Sequence, residues 1–245
     1  MFIDFVESIL YLVCVLPFIL LFTNKGVAGK LRLILLFSFF FIIMQSLLLL
    51  PLNIPELDFI GGSWNWSGKI YATIASLFFY YSTKQHFQNH QYLKIGQSKD
   101  SRKKVKIVFI VILLYAVLEG FIFYNKSLNG ETLLFQATLP GIEEEIGYRA
   151  IMLGLLSTLL VDKFKIFNFH VHSPAIWIIG ILFGLIHALK LSTDWSLTFN
   201  TIHFMKTFIL GVAWSWMTLK TRSILLPMVS HNLSNFIPNL IGMLK

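Results

Sequence analysis

Apolar residues run along this chain in long stretches bounded by charges, glycines or prolines. They occupy Phe5 to Phe22, Leu31 to Leu50, Ile70 to Tyr81 and Val105 to Tyr124 in the first half. The second half gives Leu133 to Leu160, Ala175 to Leu189, Leu197 to Leu219 and Ile224 to Leu244. A helix needs about 20 apolar residues to cross a bilayer core. The pattern therefore predicts an all-α, polytopic transmembrane bundle of about eight helices, forming a single integral membrane domain over 1–245. The run from Ile70 is short for a span unless it begins earlier. The run from Leu133 contains Pro140 and a group of charges. Pro140 and Gly141 are expected to separate a short segment from a charged helix, placing Glu143, Glu144 and Glu145 in its first turn or two, where the helix dipole favours carboxylates.

Composition supports a lipid solvent: 56% of residues are hydrophobic, 16% aromatic and only 13% charged, outside the range of soluble domains. The first apolar run follows Asp4 and Glu7, without a basic leader or a small-residue cleavage pattern, and reads as a retained helix. Cys14 is the only cysteine, so an intrachain disulfide and a cysteine-rich metal site are both excluded.

The net charge is +8, but its basic residues are dispersed over short loops and not gathered on a soluble face. Anionic lipid, and not nucleic acid, is the expected partner. Lysines and arginines fall around Lys25 to Arg32, Lys84 to Lys106, Lys163 and Lys165, and Lys220 and Arg222, in alternate loops of the eight-helix pattern. Those loops are expected to face the cytoplasm. Glu56, Asp58, Glu131 and Asp194 mark the intervening loops, which with both termini would lie outside.

Within the apolar runs, charged side chains ask for a reason, because each costs about 2.5–3.5 kcal/mol to insert. Glu145 and Arg149 are four apart and share a helix face, whereas Glu144 points elsewhere and can address a cavity. A buried ion pair that fixes helix packing accounts for Glu145 and Arg149, but leaves adjacent carboxylates with one arginine between them. His187 follows Phe183 by one helical turn, and Gly184 between them allows close helix approach. His231 and Asn235 stand one above the other on the last helix. Three spans thus each present a polar face that lipid could not satisfy. A proton relay in a transporter would also use buried Glu and His, but the chain lacks the repeated halves and paired broken helices of such folds.

The segments Glu144-Glu145-Ile-Gly-Tyr-Arg149, Phe183-Gly-Leu-Ile-His187 and His231-Asn-Leu-Ser-Asn235 resemble the three ordered motifs of the CPBP intramembrane proteases. That family covers CAAX protease, bacteriocin-processing and Abi proteins and is related to the Ras-converting CAAX endopeptidases. The resemblance spans 141–236, and Asn65-Trp66-Ser67-Gly68-Lys69 looks like an upstream element of the same family. Ala150 stands where glycine often follows the arginine.

The resemblance implies an intramembrane endopeptidase. Glu144 and His187 would activate a water, with Glu144 as general base, while His231 and Asn235 would stabilise the oxyanion. Glu145 and Arg149 would support the site, and Phe183 would border a groove for substrate. Zinc is an open alternative, with Glu144, His187 and His231 as its ligands, although there is no HExxH pair on one helix. The implied substrate is a peptide or membrane protein, with or without a lipid, in a bacterial cell membrane. The alternative within the same family is a non-proteolytic scaffold or a bacteriocin self-immunity protein. Other polar residues read as peripheral: His86, His90, His170 and His172 as solvated loop groups, His203 and Lys206 as bordering the cavity or snorkelling, and Glu119 as reaching the headgroups.

Overall fold

The computed structural model describes residues 2–98, 102–123, 125, 127–166 and 169–245. The side chains of Arg102 and His170 lie outside the described residues, as does part of the basic run Lys94 to Lys106. Among the described residues the chain forms eight long helices and two small hairpins. The helices are α1 (Phe2–Phe22), α2 (Lys30–Asn53), α3 (Trp66–Thr83), α4 (Arg102–Phe123), α5, α6 (Pro174–Ala188), α7 (Thr201–Thr221) and α8 (Leu225–Leu244). Helix α5 starts as Gly130–Glu144, widens into π-helical turns over Glu145–Met152 and continues as Leu153–Leu159. The hairpins pair β1 (Lys163–Ile166) with β2 (Phe169–His172), and β3 (Leu189–Leu191) with β4 (Leu197–Phe199), both antiparallel.

This is an all-α membrane bundle. Helices α1, α2 and α4 are long and apolar enough to cross a bilayer, and their outer faces expose Leu20, Leu35, Leu114 and Leu118, as lipid contact requires. Helix α6 is apolar but only 15 residues long, while α3, α5, α7 and α8 bury polar groups such as Lys69, Glu143, Thr218 and His231, which lowers their hydropathy without exposing those groups to lipid. Helix α3 begins at Trp66, four residues before the apolar run, because Asn65 caps it: the Asn65 side chain accepts from Gly68 N–H at 3.0 Å.

One expectation is corrected by the course of α5. The helix does not break at Pro140 but runs straight through it, so Glu143, Glu144 and Glu145 sit in the middle of a rod and not in a first turn. A proline inside a helix disturbs the local hydrogen-bond ladder, and here the backbone N–H of the next residue, Gly141, donates to Asn232 Oδ1 of α8 at 2.8 Å. A side chain from the last helix thus secures the backbone beside the proline. Expectation and structure agree at Gly184, where a Cβ would lie 2.8 Å from the Phe204 ring, so the missing side chain allows α7 to lie close against α6.

The basic loops gather at one end of the bundle. Thr23 pairs with Leu160, Ser98 N–H donates to the Thr221 carbonyl, and the Arg222 guanidinium lies 5.6 Å from the Tyr92 ring centre. The start of α1 and the β3–β4 hairpin lie together at the other end, joined by Leu191 N–H to Glu7 at 2.7 Å and Lys190 to Glu7 at 3.3 Å.

Candidate functional site

Three carboxylates, two permanent cations and a histidine form a connected buried cluster at the centre of α5. Glu143, Glu145 and Arg149 are 0% exposed, so water cannot solvate them and each needs a partner. Lys69 Nζ of α3 lies 2.7 Å from Glu143 Oε2 and 2.6 Å from Glu144 Oε1. His231 Nδ1 of α8 lies 2.9 Å from Glu145 Oε1, and Arg149 pairs with that same oxygen at 3.2 Å. His231 Nε2 faces Glu144 Oε2 at 3.7 Å. His231 thus stands between Glu144 and Glu145 as the third partner of the carboxylates, beside the two permanent cations.

Aromatic rings frame this cluster. The Trp214 ring stacks on His231 at 4.1 Å between centres and 13° between planes, and its indole N–H donates to Ser230 Oγ at 3.1 Å. Phe183 lies 4.5 Å below the Arg149 guanidinium and 4.5 Å from the His187 ring. At 2% exposure, Phe183 is chiefly a packing centre, with only an edge at the cavity wall. The wide π turn of α5 coincides with this cluster, as such turns often do at functional positions.

Glu144, His187, His231 and Asn235 are brought together. All four line a cavity of about 230 Å³, together with Phe183, His203, Lys206 and Trp214. Glu144 and His187 also line a second cavity of about 410 Å³, with Asp4, Glu7, Tyr11, Lys69 and Lys190. The glutamate and His187 thus stand at the wall between a chamber inside the bundle and one that reaches the α1 and β3 end. His187 Nδ1 is 2.7 Å from the Phe183 carbonyl oxygen. That oxygen only accepts, so Nδ1 carries the proton and Nε2 remains available as an acceptor. Glu144 Oε2 is buried without a hydrogen-bond partner, although the His231 ring stands close by.

Glu145 and Arg149 meet as the spacing predicts, now as part of a larger network. Two peripheral expectations change. Glu119 does not reach outward: it forms an ion pair with Lys206 across α4 and α7, and Lys206 also borders the smaller cavity. His90 is half-buried and its Nδ1 shares a hydrogen bond with Tyr92 at 2.7 Å.

Lys69, placed by the sequence only at the end of the upstream element, joins this cluster although motif spacing gave it no role. Its helix start is fixed from several sides. Asn65 Nδ2 donates to the Leu48 carbonyl at 2.7 Å, and a Cβ on Gly68 would sit 2.1 Å from that same oxygen. Glu131 accepts from Ser63 N–H at 2.8 Å and from Trp66 Nε1 at 3.0 Å. In the preceding loop, the Ser67 hydroxyl and the Gly61 N–H hold the Asp58 carboxyl below the usual range. A lone lysine in the first turn of an otherwise apolar helix was the available signal.

Among the described residues, no group of three or more His, Cys, Asp or Glu side chains is arranged to hold a metal ion. Glu144 gives one oxygen to Lys69, and His187 and His231 each direct Nδ1 to a protein acceptor, which leaves Glu144 Oε2 and both Nε2 atoms uncommitted. Those atoms are not gathered closely enough to form a three-ligand zinc site.

The model of a protein family described as type II CAAX prenyl endopeptidase, Rce1-like, matches residues 102–237, more than half of the chain. This chain belongs to the Rce1-like family. The matched segment runs from α4 into α8 and contains every residue of the smaller cavity wall named above, whereas Lys69 lies ahead of it. Membership carries a peptidase role, a peptide substrate and a membrane setting. No curated protein and no solved structure matches the chain.

Proposed function

We propose that the chain is a multi-pass intramembrane endopeptidase in which Glu144 activates the attacking water. The observation that carries the reading is the junction of Glu144, His187, His231 and Asn235 around one cavity, contributed by α5, α6 and α8. A water between Glu144 Oε2 and His187 Nε2 would donate to both. As its oxygen attacks the peptide carbonyl carbon, the proton passes to Glu144, which later returns it to the leaving amine as the C–N bond breaks. Asn235 offers a permanent amide donor. His231, held through Nδ1 by Glu145, presents Nε2–H when it is an imidazolium. Together they would stabilise the oxyanion. Arg149 orients Glu145, and no step passes through a metal.

The larger cavity reaches the end occupied by Glu7, Lys190 and Leu191, opposite the basic loops. By the positive-inside rule the site then opens away from the cytoplasm, which favours a peptide or membrane-protein substrate of a bacterial cell membrane over a prenylated cytosolic tail.

The test uses wild type and Glu144→Gln in nanodiscs with a library of farnesylated and unmodified peptides, read by mass spectrometry. Wild type should cleave one bond, and the variant, folded to the same melting temperature, should be slower by about 100-fold or more. Absence of cleavage by folded wild type across the library would transfer the weight to the scaffold or immunity reading.

A further inference from the structure

Two adjacent buried carboxylates repel one another, and a cation between them decides which of their oxygens remains available. Lys69 reaches across from α3 and touches both, taking Glu143 through Oε2 and Glu144 through Oε1. Its side chain is only 11% exposed, so its charge is committed to these partners and not to solvent. The effect on Glu144 is asymmetric. Oε1 is tied to the ammonium group, while Oε2 is left unpartnered on the side of His231. Lys69 lines only the larger cavity and His231 only the smaller one, so the carboxylate is gripped from one chamber and presented towards the other.

We propose that Lys69 is a positioning residue of the hydrolytic site, which fixes Glu144 by Oε1 so that Oε2 alone takes the proton from water. The proposal rests on the peptidase reading above. Glu143 is the anchor that keeps the ammonium in its bridging position, and it has no direct part in the reaction. The Asn65 cap and the contact of Gly68 with the Leu48 carbonyl set the height of Lys69 along α3. This gives the upstream element Asn65 to Lys69 a function although it lies 74 residues from Glu143 in the chain.

The experiment measures kcat and KM in nanodiscs, on a quenched fluorescent peptide chosen from the same library, for wild type, Glu144→Gln, Lys69→Met, Lys69→Arg and the double variant Lys69→Met/Glu143→Gln. The double variant removes one charge of each sign, so it keeps the cluster balanced where Lys69→Met alone leaves Glu143 and Glu144 buried without their shared cation. A misplaced general base costs about 100-fold. Lys69→Met and the double variant should therefore lose about 100-fold in kcat with KM within about threefold of wild type. Lys69→Arg, whose guanidinium can also bridge two carboxylates, should recover to within about tenfold. A merely structural lysine predicts otherwise: the double variant, folded to the wild-type melting temperature, would then regain wild-type kcat, and that result overturns the proposal. Cleavage that vanishes in Glu144→Gln but persists unchanged in Lys69→Met overturns it alone. Absence of cleavage in folded wild type overturns the peptidase reading and this proposal with it.

Discussion

Replacing Gly68 by alanine sets two physical effects of opposite sign against each other, and the structure says which is larger. In a helix exposed to ordinary surroundings, Gly→Ala stabilises by about 1 kcal/mol, because glycine gives up more backbone entropy. At Gly68 the new methyl carbon would lie 2.1 Å from the Leu48 carbonyl oxygen and 2.4 Å from Asn65 Oδ1. The first neighbour is backbone and cannot turn aside, so α3 must move away from α2 by more than an ångström. Overpacking of this kind costs about 1–3 kcal/mol. The movement also weakens the hydrogen bonds that Asn65 makes to Gly68 N–H and the Leu48 carbonyl, a cap worth about 1 kcal/mol. The balance is a net loss of about 1–3 kcal/mol after the helix-propensity gain is subtracted. Thermal unfolding in detergent, followed by tryptophan fluorescence, should show a melting temperature lower by several degrees. Because Lys69 is the next residue, peptidase turnover should fall as well. A Gly68→Ala protein that melts higher than wild type would refute the close approach of α2 and α3, and with it the account of how Lys69 is aimed.

Two further outcomes follow from the same cluster. Arg149→Met leaves Glu145 buried with only His231 beside it, and breaking a buried ion pair costs about 3–5 kcal/mol. The variant should accumulate poorly in membranes, and wild-type expression and melting would contradict the network. Because Glu144, His187 and His231 do not group as zinc ligands, cleavage should be unaffected by a strong chelator. Full loss with recovery on zinc addition would overturn the metal-free mechanism.

The eight helices were legible because lipid demands long apolar runs, and the runs end within a few residues of the helices. The three polar motifs were legible for the same reason in reverse, since a charge inside such a run has few structural explanations. What the sequence concealed was pairing over distance. Lys69 meets carboxylates 74 and 75 residues away, and Lys206 meets Glu119 across 87 residues. Spacing along one helix cannot reveal those contacts. Pro140 misled for a related reason: its local rule predicts a break, but a side chain of α8 secures the neighbouring backbone N–H. The two short hairpins left no periodic signal that would distinguish them from loops.

The same long-range pairing explains why a membrane interior tolerates this site. Each of the three clustered carboxylates of α5 is reached by a cation or imidazole: Glu143 and Glu144 by Lys69 from α3, Glu145 by His231 from α8 and by Arg149 from one turn along its own rod. The charges are therefore stable only when α3, α5 and α8 are assembled, so the cluster acts as a lock on the packing as well as a source of reactive groups. Within that lock, Glu144 differs from its neighbours. Each of the three has one oxygen tied and the other without a hydrogen-bond partner, but Glu144 alone lines both cavities. Of the three spare oxygens, only that of Glu144 belongs to a residue lining the chamber of His187, His231 and Asn235, and the hydrolytic reading proposed above rests on that placement.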